Sequence, residues 1–420
     1  MLKLISFLVT AALVSAVPFR PVARQGNALF SNSTAGSSLL VSGPGYITGV
    51  SFTSNGSFEI TSNYGAPGTV PSWLLPKSPT EFYSVDENSN TISLNFLDEP
   101  KRIFTTGSAG LVHLEYNADR TRMLGAAYGS AKIDIFDITA SNESFSLVGS
   151  IASTDTPGPG QTAGHPHQVL LEPSGRFFVV NDLGTDTLLV LDGASSDFSV
   201  VNHFHVTPAG CGPRHGAFFP PPDRGFSQAS HYMVVCETLN LILLYKLNYT
   251  KTSIDFTPVQ NISTFGEAFP PANATSARAG ELLLDLNLLT RRADVYVTNR
   301  LTGNDTDSIS HFALAGSTDG PLNLMFLDSV SSGGLLPRSI ALGGDKSTLF
   351  ATNQGGKSGL AAFARDKQTG VLSPEPLASL DNSEFNDGQD GFGPQFVVSL
   401  PTTTGDSSSP TSKTISASAC

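Results

Sequence analysis

One short pattern of residues recurs along this chain, and it constrains the fold more than any other feature. Its clearest copy is Gly164 to Asp192, GHPHQVLLEPSGRFFVVNDLGTDTLLVLD. A polar cluster precedes the apolar strand VLL, and a Pro-Ser-Gly turn leads into the β-forming run from Phe177 to Val180. After the polar pair Asn181-Asp182 and a turn at Gly184, a third strand begins. Short strands punctuated by Pro and Gly read as an antiparallel meander. The pattern returns from Val112 (VHLEYNADRTRMLGAAYGSAKIDIFDI) and from Gly212 (GPRHGAFFP, then HYMVVCETLNLILLYKL). It returns again from Asp294 (DVYVTNRLTGNDTDSISHFAL), from Pro337 (PRSIALGGDKSTLFATNQGGKSGLAAFA) and, more weakly, from Pro71. Units of about 40–60 residues with several strands each predict a β-propeller, with one four-stranded sheet per blade.

The residues that end each second strand give the count. Tyr46, Glu87, Tyr128, Asp182, Glu237, Arg300 and Gln354 stand 41 to 63 residues apart, so seven blades are expected. Near the C-terminus, Pro394-Gln395 followed by FVVSL has the form of a first strand with no later strands. Residues 39–64 have the form of later strands with no first strand. The two are expected to share a blade, closing the ring and removing the exposed edge that a row of sheets would otherwise present. The prediction is an all-β, seven-bladed propeller over 39–400, in one domain.

Outside it, residues 1–16 read as an export signal: Lys3, an apolar run from Leu4 to Val14, and the small-residue pattern Val14-Ser15-Ala16. Residues 17–38 read as a linker, and 401–420, rich in Ser and Thr, as a disordered tail. No later stretch approaches the roughly 20 apolar residues of a membrane-spanning helix. Seven N-x-S/T sequons, at Asn32, Asn55, Asn142, Asn248, Asn261, Asn273 and Asn304, fit a secreted or cell-wall-associated glycoprotein. The net charge of −12 comes without any basic cluster, which removes electrostatic support for nucleic-acid binding. Three cysteines are too few for a disulfide scaffold. Cys211 precedes a first strand and Cys236 ends the following second strand, so antiparallel pairing allows a bridge between them; two buried thiols are the alternative.

In an antiparallel meander the start of the first strand lies beside the end of the second, so two columns of residues should converge at one mouth of the channel. The first holds Ser72, His167, Arg214, Arg338 and Gln395. The second holds Tyr46, Glu87, Tyr128, Asp182, Glu237, Arg300 and Gln354. His113 and His215 recur one position after the first column. Nearly every entry is polar or ionisable, which fits a wet pocket better than a filled core. His165 and His167 would share a strand face, but no third ligand is identifiable, so no metal is expected.

These residues resemble a known family. HPHQVLLEPSGRFFVVNDLGTD, GPRHGAFF, VYVTNR and PRSIAL…LFATNQ are similar to the seven-bladed lactonase propellers, which include fungal carboxy-cis,cis-muconate cyclases and propeller-type 6-phosphogluconolactonases. The resemblance implies a cofactor-free site with His167 and Glu237 as catalytic, proton-exchanging groups and Arg214 and Arg300 as substrate-binding groups. Glu87, Tyr128, Asp182, His215, Arg338 and Gln354 would line the pocket. Arginines suit a carboxylated or lactone substrate because the guanidinium fork matches a carboxylate. Ser339 follows Arg338 where relatives more often have His. The expected activity is lactone formation or opening; the alternative is a non-enzymatic adhesin or ligand-binding glycoprotein that kept the fold.

Overall fold

The computed structural model describes residues 36–400, apart from 100, 141–143, 221–226, 267–268, 288–291, 317–321 and 387–390. The expected export signal, most of the expected linker, the expected tail with Cys420, and the sequons at Asn32 and Asn142 lie outside the described residues. Seven four-stranded antiparallel sheets form, each running from an inner to an outer strand. Blade 1 holds Leu74–Pro76, Glu81–Val85, Thr91–Phe96 and Arg102–Thr106. Blade 2 holds Leu111–Tyr116, Arg122–Ala127, Lys132–Asp137 and Ser146–Ala152, and blade 3 holds Pro166–Leu171, Phe177–Asp182, Thr187–Asp192 and Val200–His205. Blade 4 comprises Pro213–Phe219, His231–Cys236, Leu241–Tyr249 and Ile254–Ser263; blade 5 comprises Arg278–Asn287, Arg292–Arg300, Ser308–Ala315 and Asn323–Ser331. Blade 6 comprises Leu335–Leu342, Thr348–Gly355, Ser358–Ala364 and Ala378–Asp381.

Blade 7 closes the ring. Its inner strand is the C-terminal Phe396–Leu400, paired antiparallel with the N-terminal Ser37–Gly43 in the register Val41 to Val397 and Leu39 to Ser399. Tyr46–Phe52 and Phe58–Asn63 complete the sheet. The expectation for Tyr46 needs correction. It opens the third strand rather than ending the second, because the turn at Pro44-Gly45 comes after Gly43. Its ring is buried against Phe385, centroids 5.8 Å apart, and so belongs to the core and not to the channel.

The middle strands are buried on both faces, which their continuous apolar runs allow; Phe177–Asp182 is buried at all six positions. Outer strands are largely exposed, and Ser146–Ala152 has no buried position. Among the described residues the apolar core falls into seven clusters, and each one lies between two neighbouring blades. No cluster occupies the axis.

In several blades the end of the second strand is also tied to the segment that leads into its own blade. In blade 1 Asp86 Oδ1 accepts from Val70 N at 2.8 Å. In blade 5 Asn299 Nδ2 donates to Thr264 O at 3.2 Å, and in blade 6 Asn353 Nδ2 donates to Ser332 O at 3.1 Å. Blade 4 has Cys236 at the equivalent place, joined by a disulfide to Cys211.

Val397 is 2% exposed in the seam between the two ends of the chain. Val397→Asp should lower stability by about 3 kcal/mol, because an unpaired carboxylate would be buried there; denaturant midpoints against wild type check this.

Candidate active site

The inner strands do not run regularly at the channel mouth. In blades 2 to 6 the pairing with the second strand slips near its start: between Leu111 and His113, Pro166 and Gln168, Pro213 and Gly216, Ala279 and Leu282, and Pro337 and Ile340. A regular strand sends adjacent residues to opposite faces, whereas a bulge breaks that alternation and re-aims a side chain. This is how both Arg214 and His215, and both Arg338 and Ser339, come to line one central cavity. Its other walls are Ser72, Trp73, Val112, His167, Glu281, Gln395 and Phe396. All five members of the first predicted column are there.

The approach to Arg214 is held from several sides. Gly212, at φ +63°, makes the turn before Pro213, and Asp186 accepts from its amide at 2.8 Å. The Asn181 amide donates to the Arg214 carbonyl at 3.2 Å and to Gln168 Oε1 at 3.1 Å. Gln168 Oε1 also accepts from Gly216 N at 2.7 Å.

Charge at the mouth is arranged in pairs. Glu237 Oε2 lies 2.9 Å from Arg214 Nε and 3.0 Å from Arg300 Nη2, so two cations share one carboxylate. The Arg214 contact is ionic and not an aligned hydrogen bond. Arg338, from blade 6, reaches Glu87, from blade 1, at 2.6 Å. Arg300 also donates to Ala279 O at 3.2 Å and passes over Gly280. A Cβ at Gly280 would stand 3.2 Å from Arg300 Nε and 2.4 Å from Thr298 Oγ1, so glycine keeps that path open.

Burial and charge set the protonation states. Burial, reinforced by Arg300, lowers Arg214 to about 9, which leaves it cationic at neutral pH. Burial would raise Glu237, but Arg300, Arg214, Arg338 and Arg278 together hold it below its ordinary value, so it is a carboxylate and a weak base. His167 is pushed well below the usual imidazole range by burial and then by Arg214, His215 and Arg338. It is neutral. Several cavity groups have no partner among the described residues: Arg214 Nη1, His167 Nδ1, Ser72 Oγ and Gln395 Oε1. Buried polar groups are normally satisfied, at a cost of about 1–3 kcal/mol when they are not, so this set is what a ligand would complete. Trp73 reaches into the channel, 4.0 Å from His113, 4.5 Å from Phe396 and 5.9 Å from His215 by ring centroid.

Of the second column, Glu87, Glu237 and Arg300 reach this cluster. The Tyr128 ring stacks on His165 at 4.3 Å and meets the edge of His167 at 5.9 Å. Asp182 does not line the cavity. Its buried carboxylate accepts from His165 N at 2.8 Å, Gly184 N at 3.0 Å and Thr185 N at 3.1 Å, holding the segment that enters blade 3. Gln354, half-buried at a strand end, is also outside the lining. Sequence reasoning missed Glu281, Trp73 and Phe396. Glu281 stands at the offset of His113 and His215, but the run Ala279-Gly280-Glu281 lacks the Pro that aligned the other copies.

The family described as "Lactonase, 7-bladed beta-propeller" matches residues 35–378, and this chain belongs to it. Among its relatives is "Probable 6-phosphogluconolactonase" of Arthroderma benhamiae, 29% identical over 351 residues, which are 80% of this chain and 84% of that protein. The fold is shared with the periplasmic gluconolactonase of Pseudomonas aeruginosa, with TM-score 0.70 and 19% identity over 87% of this chain and 99% of that one. A protein from Lactobacillus plantarum superposes with TM-score 0.66 and 19% identity, over 87% of this chain and the whole of the other.

Acid should weaken the fold. Burial lowers the pKa of His113, His167, His215, His231 and His311. Below their unfolded value near 6.5, the unfolded chain therefore binds more protons than the folded one, and stability falls as pH falls. Glu115, raised by burial to about 7, opposes this because its folded form keeps a proton in the same range. Five groups against one predict a lower Tm at pH 5 than at pH 7, checked by thermal melts across that range; a flat or inverted profile contradicts it.

Proposed function

We propose that this protein is a hydrolase that opens a small anionic lactone of the sugar-acid kind, such as 6-phosphogluconolactone, without a metal or organic cofactor. The observation that carries the reading is the size and lining of the cavity. It measures about 10 Å³, close to the smallest space that admits one water molecule, and His167, His215 and Arg214 are among the residues that line it. A water held there would lie beneath a substrate seated at the mouth on Arg214 and Arg300. An imidazole takes the proton as the water oxygen bonds to the lactone carbonyl carbon. The carbonyl electron pair moves onto oxygen, where Arg214 and Arg300 offset the negative charge. Collapse breaks the bond to the ring oxygen, which leaves with the proton from the imidazole, and a hydroxy acid is released. The family resemblance implies His167 for the proton. Glu237, as a depressed carboxylate between two guanidiniums, fits better as the group that holds them in place than as a base. Muconate-type ring closure is intramolecular and has no use for a water niche, so it stands second.

The same reading includes export and glycosylation. Asn55, Asn248, Asn261 and Asn273 are exposed, while Asn304 is half-buried with its amide donating to Pro270 O at 2.9 Å. Enzymatic deglycosylation followed by mass measurement tests this part.

Kinetics on a panel of aldonolactones, muconolactones and carboxymuconates tests the activity. Turnover of a lactone should persist with chelator and fall at least ~100-fold in Arg214→Ala and in Arg300→Ala, equal to about 2.7 kcal/mol of transition-state stabilisation. A folded wild type that is inert across the panel would favour the ligand-binding alternative.

A further inference from the structure

Two imidazoles border the water niche, and their surroundings differ. His167 faces cations: Arg214, Arg338 and Arg300 all disfavour a second proton on it. His215 faces a carboxylate. Its Nδ1 lies 3.1 Å from Glu281 Oε1, and Glu281 is itself buried, with its backbone N–H bonded to Thr298 Oγ1 at 2.8 Å. Resting on the lactonase reading, we propose that His215, oriented by Glu281, is the base that takes the proton from water, and that His167 serves as a neutral hydrogen-bonding group for the substrate.

The tautomer decides whether His215 can act. The Gln168 amide also stands 3.1 Å from His215 Nδ1. Its oxygen is committed to Asn181 Nδ2 and Gly216 N, so its NH₂ group faces the ring. Two arrangements therefore compete. In one, Nδ1 accepts from Gln168 and the proton sits on Nε2, which leaves no lone pair for water. In the other, Nδ1–H points to Glu281 and Nε2 is free. The 3.1 Å contact with Glu281 is ionic and not an aligned hydrogen bond, but a carboxylate that close favours a proton on the nitrogen facing it, whereas Gln168 offers only a neutral bond, so the charge of Glu281 selects the second arrangement. The polar contacts of His215 among the described residues run through Nδ1, which turns Nε2 to the cavity that the ring lines. When Nε2 gains the water proton, the imidazolium faces Glu281. This is the orienting role of the third member of a catalytic triad, here supplied from the next blade. The Trp73 ring stacks on His215 with centroids 5.9 Å apart.

Glu281→Gln keeps the shape and removes the charge. It should lower kcat on the lactone that wild type turns over by about 100-fold, as expected for a misoriented base, with KM changed less than threefold. Because Glu281 raises the His215 pKa, its loss should also move the acid limb of the kcat profile to lower pH. Glu281→Asp should recover part of the rate. In protein labelled with ¹⁵N-histidine, the His215 ring should report Nδ1–H in wild type and Nε2–H in Glu281→Gln, read by long-range ¹H–¹⁵N correlation. An Nε2–H ring in wild type, or a Glu281→Gln rate within threefold of wild type, overturns the role of the pair while leaving the lactonase reading intact. A wild type inert on every lactone overturns both.

Discussion

A ring of blades has no centre to collapse onto. Each sheet buries its two faces against its neighbours, and the seven apolar clusters of this chain all lie at those boundaries. A blade at an open end would leave one face in water, so the burial of each depends on the seam where Phe396–Leu400 meets Ser37–Gly43. Apart from Trp73 and Phe396, the axis is consequently free of packing demands. It can hold charged groups that a central core would exclude, and it does.

What fills the axis follows from backbone geometry as much as from side-chain type. In blades 4 and 6 the bulge at the inner-strand start brings two adjacent residues to the channel, so a cation and an imidazole can come from neighbouring positions at Arg214 and His215. Burying Arg214 at 2% exposure is tolerable because Glu237 lies beside it. Glu237 must serve Arg300 as well, so the three groups together carry one net positive charge. Glu281, a further carboxylate from blade 5, also acts on Arg214, so blades 4 and 5 set cations and carboxylates against one another at the mouth.

The architecture was legible because the repeat is punctuated by Pro and Gly at fixed offsets and because the lone strand FVVSL had nothing after it. The site was legible in part. His167, Arg214 and Arg338 follow a recurring Pro, so their column could be aligned, and Glu237 and Arg300 end recognisable strands. Tyr46 was misplaced because the second strand of the closing blade already ends at Gly43, and after the Pro44-Gly45 turn Tyr46 opens the third. Glu281 was hidden because Gly280 replaces a large residue to let Arg300 pass, and the local sequence no longer looks like its siblings. Asp182 has the composition of a site residue, yet its carboxylate is occupied by backbone amides; that distinction lies in hydrogen bonding, which residue identity alone does not reveal.

The tie between a second strand and the segment entering its blade is made in three chemistries: a carboxylate at Asp86, amides at Asn299 and Asn353, and the Cys211–Cys236 bridge in blade 4. The first two kinds are indifferent to the redox state of the surroundings. The third is not, and it lies two residues before Pro213 at one end and one before Glu237 at the other, at the foot of the arginine cluster. The firmness with which blade 4 presents Arg214 and Glu237 is therefore coupled to the thiol–disulfide potential of the compartment in which the protein resides, while blades 1, 5 and 6 are joined in a way that potential does not touch.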